Sequence, residues 1–430
     1  MPTSRLQVSS DGRRIIQEDG TPFFYLADTA WDLFHRLSRE EAEHYLTVRA
    51  SQNFNVIQSV VLAECNGLRT SNFYGHLPLL DEDPERPNEA YFEHIDWVMR
   101  KGTELGLRWG LLPTWGDKWT DHWGHGPLVF NTENARVYGR WIGNRYKEVP
   151  LIWIMGGDRS IRKDSEAAIV RAMCEGVREG DCGAHLMTYH PGGGAASSTW
   201  FHHDAWLDFN TIQSGHESNR MANHMVIARD YGLTPAKPTL DSEPPYEDHP
   251  DISFGRTGPA PFLDDFIARR AAWQSVFAGA CGHTYGCHDI WQMYDGVREP
   301  VNRARTPWKQ AIHLPGANQM RHLRSLMEQL PFLDLVPTPS IVSCLPGYGP
   351  VHALRSKDKK LALVYYPDRG GRTVNLSALE GAPFTATWYN TITGEFLPTE
   401  PVPAEPVHVF TPPQELGDSV LILRAANGIS

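Results

Sequence analysis

Two short segments of this chain end in carboxylates whose types and spacing suit one shared reaction. Leu151-Ile152-Trp153-Ile154-Met155-Gly156-Gly157-Asp158 and Pro238-Thr239-Leu240-Asp241-Ser242-Glu243-Pro244 are each an apolar, strand-like run stopped by glycine or proline. Cleavage of a glycosidic bond needs a proton on the leaving oxygen and electron density at the anomeric carbon. One carboxyl must therefore be protonated and the other ionised. Alone, Asp158 reads equally as a helix N-cap and Glu243 as a surface-loop charge. Together, at the ends of two different strands, they favour catalysis.

The elements that must carry them alternate in type. Strand-like runs occur at 23–26, 56–62, 109–113, 151–155, 185–189, 211–213, 239–240 and 283–285. Helical patterns lie between them. Ser38-Arg39-Glu40-Glu41 opens one with an N-cap and an acid three residues later, and 89–106 places Phe92, Ile95, Val98 and Met99 on one face. Further helices are expected over 134–146, 166–179, 220–231 and 261–278. Eight such units without a Gly-x-Gly-x-x-Gly after the first strand predict an α/β fold, a (β/α)8 TIM barrel. In such a barrel the C-terminal strand ends share one mouth, and Asp158 and Glu243 fall on the fourth and seventh strands.

At either side of the barrel the texture changes. Asp11-Gly12 and Asp19-Gly20 mark turns around a short strand, so residues 1–22 read as an N-terminal β-hairpin. The barrel is expected over 23–333. Beyond it prolines cluster and helical periodicity stops, while short strands recur at 361–366, 372–376, 384–389, 407–410 and 419–423. Residues 334–430 therefore read as a small C-terminal all-β sandwich domain that packs on the barrel.

The other strand ends carry groups able to bind hydroxyls and stack on a ring. Asp28 and Trp31 follow the first strand, Gln58 lies on the second, and Trp115, Asp117, Lys118 and Trp119 follow the third. Tyr189 and His190 end the fifth, Gln213 and His216 the sixth, and His283, Tyr285, His288 and Trp291 line the eighth. For each alone, packing or capping is an ordinary explanation; as a set they predict a polar, aromatic pocket. No catalytic metal or cofactor is expected: the first strand lacks His-x-His, and adjacent pairs such as His202-His203 are badly spaced to chelate one ion. Pro191-Gly192-Gly193-Gly194 lacks the Lys-Ser/Thr of a phosphate-binding loop, and no Gly-x-Ser-x-Gly elbow occurs.

Composition narrows the partner. A net charge of −11 argues against nucleic acid or an anionic membrane, and 14 Trp with 15 Tyr suit a neutral carbohydrate. No apolar run is long enough to span a bilayer. Six cysteines without a Cys-x-x-Cys pair read as free thiols. With no apolar leader before the first strand, the expected location is cytoplasmic. Nothing in the pattern fixes an oligomeric state.

Over nearly its whole length the sequence resembles the apiosidase-like glycoside hydrolases, a retaining family with a TIM barrel and a small β-sandwich. The resemblance rests on Phe24-Tyr25-Leu26-Ala27-Asp28-Thr29-Ala30-Trp31, on Trp153-Ile154-Met155-Gly156-Gly157-Asp158-Arg159, on Asp208-Phe209-Asn210-Thr211-Ile212-Gln213-Ser214-Gly215-His216 and on the Glu243 segment. It implies that Asp158 is the general acid/base and Glu243 the nucleophile. It also implies a terminal apiofuranosyl substrate, on a plant glycoside or a pectic side chain. Where many barrel glycosidases carry Asn-Glu at the fourth strand, this chain has Gly157-Asp158. Another pentofuranoside, such as an arabinofuranoside, remains an alternative, because a hydroxymethyl branch is a matter of pocket shape worth about 1–3 kcal/mol. A carbohydrate-binding protein without catalysis is the alternative from another class.

Overall fold

The barrel strands start and stop where apolar runs meet glycine, proline or polar residues. The computed structural model describes residues 5–218, 222–255, 258–344 and 350–426. A hairpin of β1 (Leu6–Val8) and β2 (Ile15–Gln17) comes first. Six parallel strands then pair in the order β10 (Gly282–Tyr285), β3 (Tyr25–Thr29), β4 (Val56–Leu62), β5 (Arg108–Thr114), β6 (Leu151–Met155) and β7 (Met187–Tyr189). The parallel pair β8 (Asn210–Gln213) and β9 (Thr239–Glu243) completes the ring. Asp208 N–H donates to Met187 O (2.9 Å) on one side of that pair, and Cys281 N–H donates to Thr239 O (2.9 Å) on the other. The result is a (β/α)8 barrel.

Side chains alternate across each strand and fill the barrel in layers. Tyr25, Ala27, Val56, Ile152, Leu240 and Cys281 form the lower layer, closed from below by Leu6 and Ile15 of the hairpin. Val60, Leu112 and Ile154 form the upper layer with Trp31, Trp115, Tyr246 and Trp291. Between them Gln58 Nε2 donates to Thr284 Oγ1 at 2.8 Å. Intervening residues such as Ile57, Val61 and Trp109 face the helices.

Local signals place those helices. Ser38 Oγ accepts from Glu41 N–H (3.2 Å) while Glu41 takes the Ser38 N–H (3.3 Å), a capping box opening the helix Arg39–Ser51. The helix Glu89–Glu104 buries Phe92, Ile95, Val98 and Met99, the expected face. The helix Asn223–Tyr231 is present too; its expected start at Arg220 lies outside the described residues. Among the described residues no helix is long and apolar enough to cross a membrane, and no disulfide joins two cysteines.

The C-terminal domain holds more strands than its sequence pattern suggested. An antiparallel sheet runs β11 (Leu335–Pro337), β13 (His352–Ser356), β14 (Leu361–Tyr366), β19 (Ser419–Ala425), β16 (Phe384–Asn390), β17 (Glu400–Pro401). It faces a smaller one of β12 (Val342–Cys344), β15 (Arg372–Asn375) and β18 (Val407–Phe410). The period-2 rule divides β14 between two cores. Ala362, Val364 and Tyr366 pack inside the sandwich, and Leu361, Leu363 and Tyr365 pack on the barrel. Arg269, from the barrel helix Asp265–Phe277, seals this contact with a buried pair to Asp418 (2.6 Å).

Candidate active site

Glu243 closes β9 and points into a clamp of two imidazoles. His190 Nε2 lies 2.9 Å from Oε2, and His216 Nε2 lies 3.2 Å from Oε1. The N–H of Tyr246 donates to His216 Nδ1 (3.3 Å), so the ring proton of His216 sits on Nε2 and points at the carboxylate. His190 is held from behind by Ser242 Oγ (3.1 Å), whose own hydroxyl donates to Ile212 O (3.0 Å). Burial alone would push the Glu243 carboxyl up, but the hydrogen bonds from His190 and His216 outweigh it and hold it down at about 2. Glu243 is an ionised, immobile carboxylate.

Asp158 is delivered differently. Gly156, Gly157 and Asp158 follow β6 with φ of 98°, 85° and 57°, three left-handed residues in succession. Glycine is required at the middle one: a Cβ on Gly157 would lie 2.8 Å from Gly116 N, which donates to Gly157 O at 3.0 Å. Trp119 Nε1 donates to Gly156 O (3.0 Å), and Tyr189 hydroxyl donates to Arg159 O (2.6 Å). These bonds fix the turn and leave the Asp158 side chain 15% exposed at the mouth. The next helix starts only at Asp164 after an N-cap at Lys163, so Asp158 is not a helix cap.

Beside the Glu243 clamp lies an aromatic floor. Trp31 packs against Trp115 (5.5 Å between centroids) and against His190 (5.3 Å). Trp291 and Tyr246 complete the layer. His216 stacks on His249 (4.0 Å, 24°), which meets His288 at 4.3 Å. Trp291 Nε1 donates to His288 Nδ1 (3.2 Å), and burial takes the His288 imidazole down to about 4, so this ring is a neutral prop for the wall. Gln213 pairs in register with Glu243, and its side-chain oxygen has no hydrogen-bond partner among the described residues. That orphan acceptor, buried at the mouth, suits a sugar hydroxyl.

Five residues expected in the pocket lie elsewhere. Asp28 faces the helices, where Arg49 Nε (2.5 Å) and the Tyr45 hydroxyl (2.5 Å) bind its Oδ2; it is a structural ion pair. Gln58 is inside the barrel but a layer below the floor, bound to Thr284. Tyr189 points outward against Phe201 (4.9 Å) and serves the Asp158 turn through its hydroxyl. His283 also faces outward, since its neighbour Thr284 points in, and burial lowers its imidazole to about 3. Tyr285 lies on that outer face as well, donating to Glu247 at 2.5 Å.

Glu64 and Tyr246 were missed. Glu64 stands two residues past β4, half-buried. Burial, then the charges of Asp32, Asp158, Asp117 and Glu243, push its carboxyl well above the usual range, which sets it apart from Glu243 at the same mouth. Tyr246 has its phenol raised by burial and then by the charges of Glu243 and Asp158, so it lies near both. Asp117 pairs with Lys118 (2.6 Å), and Lys118 donates to Ala63 O (2.7 Å), fixing the strand end beside Glu64. The rule that singled out Asp158 and Glu243, an acid just past an apolar run, fits Glu64 equally. Among the described residues no group of three or more His, Cys, Asp or Glu side chains is arranged to hold a metal ion.

Comparison with known proteins shows the family and the fold. The model of the apiosidase-like catalytic domain matches residues 9–334, and that of a putative collagen-binding domain of a collagenase matches residues 336–424. A solved structure described as a glycoside hydrolase is 32% identical, with a TM-score of 0.90 over 100% of this chain and 99% of that one. A glycoside hydrolase family 5 structure from Bacteroides vulgatus is 31% identical, with a TM-score of 0.88 over 100% and 96%. A family 5 mannosidase from Rhizomucor miehei, at 13% identity and a TM-score of 0.54 over 77% of this chain and 100% of that one, shares the fold alone. No curated protein matches the sequence.

Proposed function

Because the chain belongs to the apiosidase-like family and is a glycosidase acting on carbohydrate, we propose that it is a retaining, exo-acting β-apiosidase. The observation that carries the mechanism is the clamp on Glu243. Two imidazoles keep that carboxylate ionised at the seventh strand, facing a mouth that also receives Asp158 from the fourth. Glu243 attacks the anomeric carbon as Asp158 gives its proton to the leaving oxygen, and a glycosyl-enzyme forms. Asp158 then takes a proton from water, which releases the sugar and frees Glu243. Trp31 and Trp115 form the apolar floor beneath the bound pentose, and Gln213 and Glu64 offer polar contacts to its hydroxyls.

A panel of β-apiofuranosides and α-arabinofuranosides, incubated in water with added methanol, tests sugar and stereochemistry together. The expected outcome is apiose release together with methyl β-apiofuranoside, the product of trapping a retained intermediate. Methyl glycoside of the opposite anomer overturns the retaining mechanism. Turnover of arabinofuranosides without apiosides replaces the sugar and keeps the chemistry.

A further inference from the structure

Beside Asp158 stands a tryptophan that the reaction as described does not use. Trp123 lies in the loop after β5 and is 47% exposed, a large apolar ring left in water. One face of the ring is covered: the Arg159 guanidinium carbon sits 3.5 Å from its centroid. The same guanidinium donates through Nη2 to Trp123 O (2.8 Å) and through Nη1 to Asp158 O (2.7 Å). Its Nη1 is also 3.8 Å from Asp158 Oδ2, and the Arg159 side chain is fully buried. Asp117 Oδ2 holds the loop from the other end, accepting from His125 N–H and Gly126 N–H at 3.1 Å each. Gly124, at φ 107°, must be glycine, since a Cβ there would lie 2.5 Å from Asp117 Cβ.

A rigid mount for an exposed indole is hard to explain by packing alone. Hydrophobic burial would tuck the ring inwards, whereas Arg159 and Asp117 hold it out with one face presented. Its place is also specific, because one buried arginine binds the backbone of both Trp123 and Asp158. The acid/base carboxyl defines the side of the scissile bond from which the leaving group departs.

We propose that Trp123, backed by Arg159, is the platform on which the leaving group stacks, and that the enzyme takes leaving groups with a flat apolar face. This rests on Asp158 being the acid/base. The flat face can be an aromatic aglycone or the C–H face of a pyranose; both present the same surface to an indole.

Three substrates separate these sources: methyl, 4-methylumbelliferyl and methyl-glucosyl β-apiofuranosides. The readout is the preference, in kcat/KM, for each flat leaving group over methyl, in the unmodified enzyme and in Trp123→Ala and Trp123→Phe. The expected result is a fall of about tenfold in Trp123→Ala for at least one flat leaving group, largely regained in Trp123→Phe. The one that falls identifies the source. A preference that moves less than about twofold for both overturns the platform, even if all rates drop together. Should the unmodified enzyme turn over no apioside, the apiose reading fails by itself. The platform is then decided by calorimetry with 4-methylumbelliferyl glucoside and methyl glucoside. Binding weakened about tenfold in Trp123→Ala supports it, and equal binding overturns it.

Discussion

The fourth and seventh barrel strands each deliver one carboxyl, by opposite means. Glu243 is still part of the sheet, 8% exposed, and its charge is set by two imidazoles bonded to its oxygens. Asp158 stands beyond its strand on a left-handed turn, 15% exposed, and is placed by bonds to the backbone around it. The difference suits the roles proposed for the two carboxyls. A nucleophile must stay ionised and still, so it is held through its charge. An acid/base must exchange a proton with the leaving oxygen and then with water, so its backbone is fixed while its carboxyl stays reachable.

Removing the two carboxyls separates those roles most sharply. Glu243→Gln should lower kcat by roughly four orders of magnitude or more on every substrate, because no bond can form at the anomeric carbon. Asp158→Ala should cost about 10²- to 10⁴-fold with a poor leaving group and far less with an activated aryl one. Added azide should partly restore it, yielding a glycosyl azide measurable by mass spectrometry. Near-normal turnover by Glu243→Gln would dissolve the assignment of both roles.

The clamp supplies a middle-sized test. Removing His190 should cost about 10- to 100-fold in kcat, the worth of one charge-assisted hydrogen bond. The sign in pH follows from the depressed carboxyl. His190 and His216 hold Glu243 at about 2 against burial, so losing either lets it rise. The acidic limb of kcat/KM should move to higher pH in His190→Ala and, by less, in His216→Ala, whose bond is longer (3.2 against 2.9 Å). An acidic limb that stays put in both variants would mean that the imidazoles do not set the charge.

The smallest effect is expected at Glu64, the third carboxyl of the mouth. Its carboxyl is raised, so the folded protein holds a proton there that the unfolded chain has released. Stability is therefore lost as pH climbs from the ordinary glutamate range through the raised folded value. Glu64→Gln copies the neutral form and removes that loss. Its thermal midpoint should exceed that of the parent at pH 8, with the gap closing towards pH 4. A gap that is constant across this range would show that Glu64 is not the titrating group.

Much of the fold was legible because its signals are local. All eight barrel strands overlap the strand-like runs read from the sequence, and the Ser38 capping box sits where Ser-x-x-Glu announced it. The chain order also put Asp158 and Glu243 at the fourth and seventh strand ends. In the sandwich, β11, β12, β13 and β17 escaped notice; all but the five-residue β13 are two or three residues long, too short to show alternation.

Which neighbour at a strand end enters the pocket was another matter. Trp31, His190 and Thr284 point to the inside, whereas Asp28, Tyr189 and His283 face the helices. Strands of a closed parallel barrel are buried on both sides, so either parity of such a run is apolar and the sequence carries no mark of which residue faces in. The types and order of the groups proposed for catalysis were set by the sequence itself. Barrel closure chose among adjacent residues, and it alone brought His190, His216, Glu64 and Tyr246, from four different strand ends, around the carboxyls at the mouth.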